Sequence, residues 1–243
     1  MATALNDLTP STTLRLPRAA DRLSLTRIEL FYDLPDTDRQ MLEHRLPIVR
    51  WQRGSDTPEA LLRPDHLYVI RSGHVAEFDT TDSGHEVMTS ILDEGCVYST
   101  LGSTHTPSIT ALKDAAISPL SGQTLEALIS RYPKLGRNLA HVLSQRVAAL
   151  STTTALISEM RVEDRLRARV HQLGDRFGIA NAQGIEVRLD LTHAQWASLV
   201  GASREAVTTG LAKLRANGQI TMDGRIITIP WHAVPPVAPA RAA

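Results

Sequence analysis

Apolar positions along this chain change their spacing three times, and each change predicts a different kind of element. From Ser24 to Leu46, the residues Ile28, Phe31, Leu34, Leu42 and Leu46 suit short helices broken at Pro35, with Ser24 as an N-cap. Between Ile48 and Ser121 the apolar pieces shorten to runs at 66–70, 75–78, 86–92, 109–112 and 116–120. Arg71-Ser72-Gly73-His74 and Thr80-Thr81-Asp82-Ser83-Gly84 separate the first three runs and carry hairpin chemistry. Short strands at this spacing predict an antiparallel, jelly-roll-like β-roll. After Gly122 a short helix through Leu125, Leu128 and Ile129 ends near Pro133. A long helical pattern then runs from Lys134 to about Met160, through Leu135, Leu139, Val142, Leu143, Val147, Leu150 and Ile157. At 1.5 Å per residue this is a rod of roughly 40 Å. Its apolar seam is narrow, as in a coiled-coil pairing face, and its length predicts projection toward a second subunit.

The last third reads as three helices and a hairpin. Val162 to Phe177 is amphipathic, and two shorter helices, Thr192–Val200 and Ser203–Ala216, are joined by Gly201-Ala202. Segments 219–222 and 225–229 flank Asp223-Gly224, a two-residue hairpin turn. Thr192 and Gln195 fit a capping box, and Trp196, Leu199 and Val200 give the first short helix its apolar face. Gly201 allows a tight turn because glycine accepts positive φ. Ser203 caps the second helix, which buries Val207, Leu211 and Leu214 and opens its other face with Arg204, Glu205, Thr208 and Thr209. In helix-turn-helix geometry the first residues of the second helix meet base edges in the major groove. Arginine can bind guanine bidentately, and glutamate can accept from a cytosine amino group. The hairpin that follows is placed as a wing.

The expected fold class is therefore α+β. Flexible tails at 1–23 and 231–243 bracket a β-roll (24–132), a long helix suited to dimerisation (133–160) and a winged helix-turn-helix (161–230), and the family resemblance described below makes the roll a sensor.

Composition sharpens this picture in three places. The 243 residues are 42% hydrophobic and 21% charged, with Lys plus Arg and Asp plus Glu at 26 each, so the net charge is zero. Residues 161–243 nevertheless hold 11 basic and 7 acidic side chains, a balance of +4, against −4 over residues 1–160. The positive excess sits where phosphate contact needs it. One cysteine, Cys96, excludes an internal disulfide, a four-cysteine iron–sulfur cluster and a cysteine-based structural zinc site. No apolar run approaches the roughly 18 residues of a membrane span, and Met1 to Arg22 has no continuous apolar stretch, so a cytoplasmic protein is expected.

The stretch from Thr192 to Ile229 resembles the winged helix-turn-helix of the Crp/Fnr superfamily of bacterial transcription regulators. The run Leu199-Val200-Gly201-Ala202-Ser203-Arg204-Glu205-Ala206-Val207 carries most of the likeness. It extends upstream through the Tyr68-to-Val75 turn of a cyclic-nucleotide-binding-like roll and the long helix, so it covers about Ile28 to Ile229. The resemblance implies a homodimer that binds double-stranded DNA, meets RNA polymerase if it is an activator, and is not an enzyme. It implies base contacts from Arg204 and Glu205 and a phosphate contact from Thr192. The family's third reading position, commonly basic, holds Thr209 here, so one base position of the consensus is altered or relaxed.

The resemblance also locates a candidate effector segment, Gly95 to Ser108. Relatives that bind cyclic AMP carry a Gly-Glu pair and then an arginine on the cyclic phosphate. Here Ser99 and Thr100 stand for the first pair, and His105, with Thr106 beside it, stands for the arginine. A buried phosphate without arginine lacks its strongest charge-assisted partner, which weakens the case for cyclic AMP as cofactor. Ser151 keeps a hydroxyl where relatives touch the nucleotide base. The alternatives are another ligand held by Tyr98, Ser99, Thr100 and His105, a thiol switch at Cys96, and ligand-independent DNA binding. Haem ligation by one of the nine histidines stays open, with His74, His85 and His105 expected in solvated turns. The competing class is a cupin-like metal enzyme, but the roll contains no His-x-His, and no metal ligand set is assigned.

Overall fold

The structure, a computed structural model, describes residues 24–81, 84, 86–102, 108–159 and 161–234. The chain divides after Ser151 into two compact units.

The first unit opens with two 3-10 turns, Leu25–Arg27 and Glu29–Phe31, followed by α1 (Asp36–Arg45). Ser24 caps the first turn by accepting from the Thr26 amide, as its position predicts. Seven strands follow: β1 (Val49–Trp51), β2 (His66–Ser72), β3 (Val75–Thr80), β4 (Glu86–Leu92), β5 (Val97–Ser99), β6 (Ser108–Ala111) and β7 (Ala115–Ser121). They form two antiparallel sheets, ordered β1-β7-β2-β5 and β4-β3-β6. Strand β2 is apolar without alternation because both its faces are covered. Tyr68 and Ile70 look into the core between the sheets, while Leu67 and Val69 pack under the helical layer with Leu25, Phe31, Leu125 and Leu135.

The two turn segments part ways here. β3 and β4 are a hairpin, but β2 and β3 lie in different sheets, so 71–74 is a corner and not a hairpin. Gly73 takes φ +82°, and a Cβ on it would meet the Asp114 carbonyl at 2.2 Å. The chain therefore passes tightly under 114–115 as it changes sheet, and His74 is half-buried at that corner instead of solvated.

α2 (Gly122–Arg131) leads into α3 (Pro133–Glu159), a 27-residue helix. Its apolar residues form two stripes and not one seam. Leu135, Leu139 and Val142 pack on the roll, and Leu143 and Val147 stay exposed at 38% and 62%. One turn beyond Val142, Arg146 continues the roll-facing stripe: it pairs with the buried Glu77 carboxylate of β3 and donates to the Val97 carbonyl of β5 at 2.5 Å.

The second unit holds α4 (Val162–Phe177), β8 (Gly178–Ala180), β9 (Gly184–Val187), α5 (His193–Val200), α6 (Arg204–Ala216), β10 (Thr221–Asp223) and β11 (Ile226–Pro230). The expected two-stranded wing is half of a four-stranded sheet, ordered β10-β11-β9-β8. The unit also runs past residue 230, where a tail was expected. Trp231–Ala233 forms a 3-10 turn, Trp231 Nε1 donates to the Asn181 carbonyl at 3.1 Å, and the His232 ring bonds the Gly218 carbonyl at 3.0 Å. The tails at 1–23 and 235–243 lie outside the described residues.

Candidate nucleic-acid interface

Local chemistry builds the helix pair α5–α6. Thr192 Oγ1 accepts from the Gln195 amide at 3.1 Å and Gln195 Oε1 accepts from the Thr192 amide at 2.8 Å, which completes the capping box. Gly201 ends α5 with φ +62° and ψ +54°, the left-handed conformation that its lack of Cβ makes cheap. Arg165 of α4, which no sequence signal marked, donates to the Gly201 carbonyl at 3.1 Å and so holds the turn. Ser203 Oγ then accepts from the Ala206 amide at 3.1 Å and starts α6.

Burial divides α6 cleanly. Val207, Leu211 and Leu214 are buried where α6 packs on α4 and α5, which themselves bury Leu166, Val170, Trp196 and Leu199. Arg204, Glu205, Thr208 and Thr209 are all exposed, on the first turn and a half. Glu205 lies in the first turn of the helix, at the positive end of its dipole. Thr208 Oγ1 donates to the Arg204 carbonyl at 2.9 Å and lies 2.9 Å from His193 Nδ1. His193, Thr208, Leu211, Ala212, Arg215, Met222 and Gly224 line an open groove of about 700 Å³ between α5, α6 and the wing. His193 was missed at the sequence level, since nothing in the spacing of α5 shows that its ring meets Thr208.

The candidate effector residues are not brought together in the same way. The Tyr98 ring stacks on Tyr68 with centroids 4.4 Å apart, and its hydroxyl donates to the Leu61 carbonyl at 3.2 Å. Burial pushes the Tyr98 phenol up, out of titrating range, and raises the Tyr68 phenol to about 12. Thr100 Oγ1 accepts from the His66 amide at 3.0 Å and donates to the Arg63 carbonyl at 2.9 Å. Ser99 Oγ accepts from the Leu101 amide at 3.1 Å, and the exposed Ser151 Oγ donates to Val147 within its own helix at 3.0 Å. His105 and Thr106 lie outside the described residues, as does His85. Cys96 is half-buried beside the core between the sheets, and its Sγ donates to Asp93 Oδ1 at 3.1 Å. Reactive thiolates stand beside cations, the opposite arrangement. Among the described residues no group of three His, Cys, Asp or Glu side chains is placed to hold a metal ion, and no helix is long and apolar enough to cross a membrane.

Comparison with known proteins agrees with this geometry. The family described as the Crp-like helix-turn-helix domain matches residues 161–232. The Fumarate and nitrate reduction regulatory protein of Escherichia coli is 27% identical over 192 residues, which cover 78% of this chain and 76% of that one. A mutant of CooA from Carboxydothermus hydrogenoformans superposes with a TM-score of 0.67 at 19% identity, over 90% of this chain and 95% of that one. The c-di-GMP responsive global regulator CLP of Xanthomonas campestris gives a TM-score of 0.64 at 22% identity, over 80% and 98%. Residues 161–232 thus match a Crp-like helix-turn-helix domain, and with its antiparallel roll, long helix and winged helix-turn-helix the chain is similar over most of its length to transcription regulators of the Crp/Fnr superfamily.

Proposed function

We propose that the chain acts as a cytoplasmic homodimer that places two copies of α6 in successive major grooves of a pseudo-palindrome, about 34 Å apart. The observation that carries this reading is the exposure of Arg204, Glu205, Thr208 and Thr209 on the opening turns of a helix whose other face is fully buried. Arg204 and Glu205 read bases, Thr209 occupies the third reading position, and the hydroxyl hydrogens of Thr192 and Ser203, whose oxygens serve as caps, remain for phosphate oxygens. Leu143 and Val147, exposed on α3 with Leu150 next along the same stripe, form the pairing seam. The division into a sensor at 24–132, a pairing helix at 133–160 and a DNA-binding domain from 161 follows from these roles. The protein is a regulator and not an enzyme, and RNA polymerase is its partner where it activates.

The roll senses something other than cyclic AMP. The sequence has His105 where cyclic-AMP-binding relatives carry arginine, and the hydroxyls of Tyr98 and Thr100 already serve the roll's own carbonyls. Two measurements test the reading. Electrophoretic shifts with fragments of the source genome are expected to show sequence-dependent retardation, and uniform weak binding to every fragment would overturn the regulator assignment. Calorimetry with cyclic AMP is expected to show no tight binding, and a submicromolar dissociation constant would overturn the account of the roll.

A further inference from the structure

The hydrogen bonds around Thr208 decide how it reads DNA. Its hydroxyl has one hydrogen, and two atoms lie within bonding distance: the Arg204 carbonyl and His193 Nδ1, each at 2.9 Å. The hydroxyl donates to the Arg204 carbonyl, which can only accept, whereas His193 Nδ1 accepts or donates according to its tautomer. The His193 bond then runs the other way, with Nδ1–H donating to Thr208 Oγ1. That fixes the tautomer of His193 and takes one of the two lone pairs on the oxygen. Thr208 has no hydrogen left to donate to N7, O6 or O4 of a base, while its side chain stays exposed on the face of α6 that opens the groove. Beyond one remaining lone pair, which can only accept, what Thr208 has left to offer is its methyl, and the base feature in the major groove that takes an apolar contact is the C5-methyl of thymine.

We infer that Thr208 selects thymine through methyl contact, and that His193 is the positioning residue that keeps its hydroxyl turned back onto α6. The inference rests on the reading in which α6 enters the major groove. It assigns specificity to a position where a hydroxyl would ordinarily be expected to hydrogen-bond a base edge. It also gives His193, at the first position of α5, a part in reading sequence.

Deoxyuridine, which is thymidine without the C5-methyl, is the probe. Binding sites are first selected from random duplex DNA with the full-length protein, and each thymine of the selected half-site is then replaced singly by deoxyuridine. One position is expected to lose roughly fourfold in affinity, the worth of one buried methyl-sized group. Thr208→Val keeps the methyl and discards the hydroxyl, so the deoxyuridine penalty persists. Thr208→Ser keeps the hydroxyl and discards the methyl, so the penalty disappears. His193→Ala shrinks the penalty at that position, and His193→Asn, whose amide donates from nearly the same place, restores it. A merely structural role for His193 would lower affinity for all sites and leave the penalty unchanged. The inference is overturned if no thymine position responds to deoxyuridine, or if Thr208→Val abolishes the discrimination while Thr208→Ser retains it. Failure to select any sequence would instead count against the DNA-binding reading itself, and this inference would fall with it.

Discussion

At the scale of single residues, this chain places its side-chain oxygens and cations where the backbone has orphan groups, and function uses what is left over. Thr192, Gln195 and Ser203 satisfy helix N-termini, and their spacing made those roles legible in the sequence. The hydroxyls of Tyr98 and Thr100 were not legible in that way. Their partners, the carbonyls of Leu61 and Arg63, lie 37 residues upstream, and no local pattern encodes a contact that only strand pairing creates. Arg146 is the same case, since its partners Glu77 and Val97 stand 69 and 49 residues away. The pair is largely buried, and burial raises the Glu77 carboxyl while Arg146 opposes that shift. Arg146→Met leaves a buried carboxylate without its cation and is expected to destabilise the first unit by about 3 kcal/mol. Chemical denaturation near neutral pH checks this, and an unchanged midpoint would show that Glu77 is relieved some other way.

At the scale of elements, periodicity located α1, α2, α4, α5 and α6 and five of the roll's strands closely. It failed where an element serves two neighbours or is very short. The apolar residues of α3 read as one seam, yet Leu135, Leu139 and Val142 answer to the roll, and Leu143 and Val147 face away from it. Strands β8 and β9 escaped notice because three or four residues flanked by glycine are too few to show alternation. A better signal was Asn181, whose Oδ1 accepts from the Gln183 and Gly184 amides at 2.8 and 3.1 Å and closes the turn between them. Val147 is 62% exposed, so Val147→Glu leaves the roll intact while placing like charges in the proposed pairing seam. Sedimentation velocity is expected to show this variant as a monomer at concentrations where the parent is a dimer. On α4, burial pushes the His171 imidazole below its ordinary value, with Asp175 opposing and Arg167 adding to the shift. The unfolded chain therefore takes up a proton more readily than the folded one, and this contribution to stability is lost as pH falls through the unfolded value of about 6.5. Thermal denaturation from pH 7.5 to 5.5 is expected to show a smaller decline for His171→Gln than for the parent. Equal slopes would remove His171 from the account.

At the scale of the whole molecule, a net charge of zero conceals a division of labour. The C-terminal residues from 161 carry +4 and the preceding 160 carry −4, so the proposed DNA-binding unit would meet phosphate with an excess of cations while the residues before it carry the balancing anions. An excess of four is modest, and binding should weaken readily with added salt. The change from strand spacing to helix spacing was legible from texture alone, because a roll and a helix-turn-helix impose different periods. The content of the roll was not, because an effector site depends on which side chains remain unspent after folding. The central claim, that α6 reads base sequence through Arg204 and Glu205, is tested most directly by selecting sites from a random duplex library with the parent protein and with Arg204→Ala. The account predicts a two-fold symmetric motif with half-sites one helical turn apart. It also predicts that Arg204→Ala relaxes one base pair per half-site, at a cost of about 1–3 kcal/mol in discrimination. A motif unchanged by the substitution, or the absence of any enriched motif, would contradict it.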